Sequence, residues 1–333
     1  EDYCGDYDAP QTEKIWGNSQ VFCGGRLVSG PDGRSAAATC LMVLVPSIVW
    51  QVVVGSWYTE SHGVIVALVG GVLGVSSLAL LFGTAFSDPG IMPRQKDYSE
   101  QRDPVTGITR TKQPARYYDI VLRGHPTKLK YCVTCNIYRP PRCTHCSVCE
   151  HCVERFDHHC PWIGNCVGKR NYWLFYSFVS ATGSLNAYSL VTAGSLLAVR
   201  GQEIRRQQGS DTTAAFTETM KQEPLTAALA IYCTLLVWFT VGLCLYHSYL
   251  ISTNQTTYEQ IKGLYSSGSN PFHHGSVAAN CSDVLCMPVR PRYFDGATGQ
   301  LRWPKASMDA LRERLATASE QRAATVPCGA ATP

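Results

Sequence analysis

Four stretches of this chain carry no Asp, Glu, Lys or Arg: residues 36–58, 64–86, 172–199 and 225–251. Each is long enough to cross a hydrocarbon core of about 30 Å as a helix. Buried helices of soluble proteins rarely stay uncharged over such lengths, so the pattern predicts four transmembrane helices. Whole-chain averages conceal this. The 333 residues are 45% hydrophobic with a formal net charge of +4, which is ordinary for a soluble protein. The apolar residues are clumped, not spread.

Basic residues set the orientation. Of the 29 Lys and Arg, fourteen fall between the second and third stretches and eight follow the fourth. The first and second stretches are joined without any. The third and fourth are joined through Arg200, Arg205, Arg206 and Lys221. Positive charge is retained in the cytosol, so both termini and the basic central segment are expected there. The chain then divides into a cytosolic arm (1–35), a hairpin of two spans (36–86), a cytosolic segment (87–171), two further spans (172–251) and a cytosolic C-terminal region (252–333). The arm has no periodic pattern, and its Trp16 and Phe22 are expected at the membrane surface. No cleavable signal peptide is read. The sequon at Asn254 falls on the cytosolic side and is expected to carry no glycan.

The central segment holds the chemistry. Residues 132–166 contain eight of the sixteen cysteines and four of the nine histidines. The run reads Cys132-x2-Cys135, then Cys143-x-His145-Cys146-x2-Cys149-x-His151-Cys152, then Asp157-His158-His159-Cys160, then Cys166. Two-residue gaps let paired thiolates turn onto one metal ion, which is a zinc signature. Cytosolic thiols stay reduced, which favours metal ligation over disulfides. Two tetrahedral sites need eight ligands, and twelve candidates are present, so some are spare. Cys160 has a histidine and a carboxylate within four residues. A free thiol is mostly protonated at neutral pH, but a neighbouring histidine can take its proton and a carboxylate can orient that histidine. Residue counting leaves both readings of Cys160 open, a further ligand or a nucleophile.

Because the third span starts at Tyr172, this chemistry belongs at the membrane surface. Trp162, Tyr172, Trp173, Phe175, Tyr176 and Phe178 form an interfacial belt, and some of them suit a slot for an apolar chain. Pro46 and Gln51 predict a kink in span one, with a tight turn over residues 59–63. Asp88-Pro89-Gly90 stops the second span. Thr256 and Glu259 have capping-box spacing and begin a helix that Asn270-Pro271-Phe272 is expected to end. Residues 307–322 read as a polar amphipathic helix with Leu311 and Leu315 on one side. A membrane-anchored zinc module for protein binding uses the same ligand count but does not need Asp-His-His-Cys. Nucleic-acid binding is excluded, because the cluster is pinned between two spans and the net charge is modest.

Taken together these motifs resemble the DHHC protein S-acyltransferases (palmitoyltransferases). The resemblance is carried by Cys132-x2-Cys135, Arg139-Pro140-Pro141-Arg142, His145-Cys146-x2-Cys149-x2-Cys152, Asp157-His158-His159-Cys160-Pro161-Trp162 and Asn165-Cys166-Val167-Gly168. Asp88-Pro89-Gly90 matches the family's DPG motif, and Thr256-Thr257-Tyr258-Glu259 matches its TTxE motif. The fold it implies is an all-α membrane protein of four transmembrane helices, with a cytosolic two-zinc domain (core 132–168) between helices two and three. One structural zinc would take Cys132, Cys135, His145 and Cys152, the other Cys146, Cys149, His159 and Cys166. Cys143 and His151 are left as non-ligands, and Asp157, His158 and Cys160 as the reacting set. The implied reaction moves a long-chain acyl group from acyl-CoA (palmitoyl-CoA) to Cys160, then to a cysteine of a substrate protein. Trp162, Phe175, Phe178 and Leu185 are expected around the acyl chain, and Lys130, Arg139 and Arg142 at the CoA phosphates. Lys128-Leu129-Lys130-Tyr131-Cys132, Glu154-Arg155-Phe156 and Asn270-Pro271-Phe272-x2-Gly275 are similar to the Ras-palmitoylating subgroup. That likeness implies Ras-like substrates, a small accessory subunit, Golgi or ER membranes, and acylation of Cys281 and Cys286. Membrane lipids are the remaining expected partner, and nucleic acid is not one.

Overall fold

The computed structural model describes residues 16–94, 101–102, 109–110, 115–209, 211–266, 268, 270–286 and 292. The helix expected over 307–322 lies outside these residues.

Five helices make the bundle: α1 (Gly33–His62), α2 (Ile65–Ala85), α3 (Tyr172–Gln208), α4 (Thr212–Gln222) and α5 (Pro224–Ser252). Pro46 does not break α1. Proline lacks the N–H that would bond the carbonyl four residues back. That carbonyl, Met42 O, accepts the Tyr232 hydroxyl of α5 at 2.7 Å. One π-helical turn at Gln51–Gly55 follows. The tight turn expected over 59–63 is shorter than that. Thr59 Oγ1 donates to Gly55 O and stays helical, and only Gly63 (φ 92°) reverses the chain. The hairpin packs closely because Gly70 leaves room for the Trp50 ring, which a Cβ there would meet at 2.1 Å.

Three helices among the described residues are long and apolar enough to cross a membrane: α1, α2 and α5. Their outer faces expose Val45, Ile48, Val72, Val75, Leu235 and Trp238, apolar surface that suits lipid and not water. The third uncharged stretch is the first part of the 37-residue α3. It is less apolar because its inner face carries Thr182, Asn186, Ser189 and Thr192 beside Phe175, Phe178 and Leu185. These buried residues recur every three or four positions, the period of one helix face. The helix is packed along both α2 and α5, so its inner groups meet protein. Trp50 Nε1 donates to Thr192 Oγ1 at 2.9 Å, tying α1 to α3.

The cysteine-rich segment is folded as short antiparallel hairpins. His125–Cys132 pairs with Tyr117–Leu122 and with Ile137–Tyr138. Thr144–Cys146 pairs with His151–Val153, and His158–Cys160 with Asn165–Val167. The arm is not patternless: Gln20–Phe22 pairs with Leu27–Ser29. Trp16 packs on buried Val28 and Ile91, whereas Phe22 is exposed and meets Phe86 edge-on. After α5 the capping box forms as read, but its helix, Thr257–Ile261, is shorter than expected. Gly263 in the left-handed conformation ends it (φ 59°), and Asn270-Pro271-Phe272 forms a separate turn. Val277–Cys281 and the π turn Ser282–Cys286 then return against the bundle.

Candidate active site and metal clusters

Two quartets of donor atoms converge, Cys132, Cys135, His145 and Cys152 in one and Cys146, Cys149, His159 and Cys166 in the other. Each joins a Cys-x2-Cys turn to a cross-strand pair. His145 lies opposite Cys152, and His159 opposite Cys166. Directly opposite residues have Cβ atoms about 5 Å apart, close enough for both to reach one ion. Asn136 and Glu150, just past each turn, take positive φ to bring the chain back. His145 Nδ1 lies 3.5, 3.5 and 3.9 Å from the sulfurs of Cys132, Cys135 and Cys152. His159 Nδ1 lies 3.4 and 3.6 Å from those of Cys149 and Cys166. Tetrahedral zinc with bonds of about 2.0–2.3 Å would space its ligands at about 3.5–3.8 Å, so both donor sets fit the ion. Cys143 is buried beside the first quartet but belongs to neither. His151 is fully buried, with Nε2 2.9 Å from Ser19 Oγ.

Cys160 is also outside both quartets. On its strand His158 and Cys160 point to one side and His159 to the other, following the period-two alternation. Asp157 is 1% exposed. Its Oδ2 accepts His158 Nδ1–H at 2.7 Å and the Thr257 hydroxyl at 2.7 Å, and its Oδ1 accepts Thr257 N–H at 2.8 Å. Burial works against its charge, yet the His158 hydrogen bond holds the carboxyl below the usual range. Burial pulls His158 down, but the bonds to Asp157 and Cys160 outweigh it and push the imidazole up to about 9. Burial likewise raises the Cys160 thiol, while His158 and the backbone N–H groups of Ile163 and Trp162 lower it further. The arrangement favours a thiolate–imidazolium pair.

Beneath the thiol lies an apolar cluster of Leu81, Ile163, Val167, Phe175, Phe178, Val179 and Ile251. Phe175 stands edge-on to His158 at 5.2 Å. Leu185 is buried about two turns further along α3, and Trp162 is exposed beside Cys160. Cys281 packs on this cluster, and Cys286 is exposed.

The three basic residues expected at the phosphates are dispersed. Lys130 is exposed on its strand, and Arg139 is half-buried near the Cys132 thiol with its Nε unpartnered among the described residues. Arg142 is turned away. Its Nε and Nη2 bind Glu259 at 2.7 Å each, its Nη1 binds Asn254, and it stacks on Phe272 at 4.5 Å. A guanidinium so engaged has no fork left for phosphate. Asp88 accepts the N–H groups of Gly90 and Ile91 and faces Arg170 at 3.3 Å, so the Asp88-Pro89-Gly90 turn braces the cysteine-rich segment.

Two site neighbours were missed in the sequence. His247 of α5 is buried, 3.0 Å from the Tyr172 hydroxyl and edge-on to Phe175 at 4.9 Å. An ionisable residue inside a span was the available signal. Asp32 binds His159 Nε2 at 2.7 Å, and no local pattern announced it.

A family description, DHHC palmitoyltransferase, matches residues 125–264. The chain is 36% identical over 289 residues to human palmitoyltransferase ZDHHC18, covering 84% of this chain and 72% of that one. It is 37% identical over 291 residues to mouse palmitoyltransferase ZDHHC14, covering 84% and 58%. With Arabidopsis thaliana protein S-acyltransferase 8 it shares 37% identity over 299 residues, covering 84% and 70%.

Proposed function

The chain belongs to the DHHC palmitoyltransferase family and is a membrane protein S-acyltransferase, and on that premise we propose that Cys160 carries the acyl group. The observation that carries this is the line Asp157–His158–Cys160, with a thiol left out of both quartets at the mouth of an apolar cluster. His158, held by Asp157, takes the Cys160 proton. The thiolate attacks the thioester carbonyl of a long-chain acyl-CoA. A C–S bond to Cys160 forms, the C–S bond to CoA breaks, and His158 returns the proton to the departing CoA sulfur. A substrate cysteine then gives its proton to His158 and takes the acyl group. Two similar thioesters are exchanged by a ping-pong sequence. The backbone N–H groups of Trp162 and Ile163, aimed at the sulfur, stabilise the thiolate before it attacks. Zinc held by Cys132, Cys135, His145 and Cys152 and by Cys146, Cys149, His159 and Cys166 would supply folding energy and fixed geometry.

The acyl chain runs under Phe175 and Phe178 toward Leu185, against membrane lipid on its open side and beside Trp162. Each buried methylene contributes about 0.8 kcal/mol, so much of the donor affinity is apolar. Lys130 and Arg139 remain the candidates for the CoA phosphates. All four long helices cross the membrane, with α3 as the inner span and both termini cytosolic. The packing of α3 along α2 and α5 supports this, as does the basic content of residues 87–171. On the subgroup motifs the reading extends to Golgi or ER membranes, Ras-like substrates, a small accessory subunit, and acylation of Cys281 and Cys286.

Purified protein incubated with palmitoyl-CoA should take up a hydroxylamine-sensitive label. Cys160→Ser should abolish it with zinc content unchanged. Label that persists in Cys160→Ser would refute the assignment.

A further inference from the structure

The residue that heads α1 is an aspartate whose side chain caps nothing. Aspartate at that position ordinarily accepts a backbone N–H of the first turn. The Asp32 side chain makes no such bond, and its Oδ2 lies 2.7 Å from His159 Nε2 instead. The opposite ring nitrogen, Nδ1, faces the sulfurs of Cys149 and Cys166. A carboxylate that accepts the far N–H of a ligating histidine fixes its tautomer and orientation and raises its basicity. Among the described residues, His145 of the first quartet has no carboxylate this close. His145 Nε2 is 3.8 Å from Glu150, whose side chain is 40% exposed.

The backbone closes on the same spot. A Cβ on Gly30 would lie 2.4 Å from Gly164 O, and one on Gly164 would lie 3.1 Å from Asp32 O. Gly164 ends the turn that follows Cys160. The start of the first membrane helix, the second quartet and the turn behind the reacting thiol therefore meet at Asp32. The residue lies well before the matched region 125–264.

We propose that Asp32 is a positioning residue of the second metal cluster and, through His159, of the adjoining Cys160. The proposal rests on the reading that this quartet holds zinc. Asp32 holds the ring so that its Nδ1 lone pair points at the ion, and it anchors α1 to the strand that bears the thiol.

The test uses the full chain in detergent, loaded with zinc, as wild type, Asp32→Ala, Asp32→Asn, Asp32→Glu and Glu150→Ala. Zinc stoichiometry and release to a colorimetric chelator are followed, with the ligand-field spectrum of the cobalt-substituted protein. Asp32→Ala should release one of its two ions about 10–100-fold faster than wild type and the other at the wild-type rate. Asp32→Glu should recover part of the loss, and Glu150→Ala should leave the second ion untouched. Palmitoyl-CoA labelling should fall in the order Glu, Asn, Ala. Unchanged release from Asp32→Ala overturns the proposal, and so does equal acceleration of both ions, which marks a general folding defect. If the alanine variant does not fold, Asp32→Asn carries the same comparison, since it keeps an acceptor and loses the charge. Release does not depend on acyl transfer, so failure here is distinct from failure of the Cys160 assignment.

Discussion

The Asp157 carboxylate accepts two of its three hydrogen bonds from one residue of a distant segment, Thr257, through both its hydroxyl and its N–H. The hydroxyl shares Oδ2 with His158, so it fixes the oxygen that holds the base. Thr257→Val keeps the shape and the N–H but deletes that donor. A hydrogen bond to a charged group contributes about 1.5–3 kcal/mol, so the initial rate of palmitoyl-CoA labelling should drop at least about tenfold with zinc content unchanged. A wild-type rate in Thr257→Val would remove Thr257 from the site. At this scale the sequence was informative where partners are adjacent. Asp157, His158 and Cys160 lie within four residues, and their spacing alone suggested a base and a thiol. Arg142 shows the converse. Among basic residues near the cluster it looked like a phosphate contact, because nothing local reveals that Glu259 and Asn254 fold back onto it. Asp32 was invisible for the same reason.

At the scale of elements, the proposed acyl site makes α3 the helix that sets what is accepted. Its length and uncharged face were legible, but its role as the inner helix was not, because Thr182, Asn186 and Ser189 dilute its apolarity. Helix ends were also displaced, at Gly63 and Gly263, where one left-handed glycine outweighed the composition around it. Leu185 lies on the buried face that begins at Phe175. If the proposed acyl chain ends there, a residue of medium size should accept chains of about 16 to 18 carbons. Leu185→Trp fills that depth, so the last two or so methylenes of such a chain lose their place. At about 0.8 kcal/mol per methylene this should turn preference toward shorter acyl-CoA by roughly tenfold, read from competitive labelling over a chain-length series. An unchanged preference would move the end of the chain away from Leu185.

The whole molecule joins two kinds of stability. Helices α1, α2 and α5 carry the apolarity a bilayer rewards, and a helix satisfies most of its backbone internally in lipid, the Met42 carbonyl of α1 being met instead by the Tyr232 hydroxyl of α5. Among the described residues, the segment between α2 and α3 is built of short hairpins, and its two clusters away from the membrane helices are small, with quartet cysteines making up about half of them. So little apolar area would not order such a segment alone, and zinc bound in the two quartets would supply what packing does not. Chelation should therefore act on one part of the chain. Zinc-free protein in detergent should keep its helical circular dichroism. Proteolysis should become fast within the hairpins of residues 115–168, while residues 172–252 stay protected. Labelling by palmitoyl-CoA should disappear with the second zinc ion, because His159 and Cys160 share a strand, and zinc should restore it. If both ions leave and the hairpins stay protease-resistant with Cys160 still labelled, ligation is not what shapes the site. Loss of the bundle together with the hairpins would instead show that the membrane part depends on the ions as well.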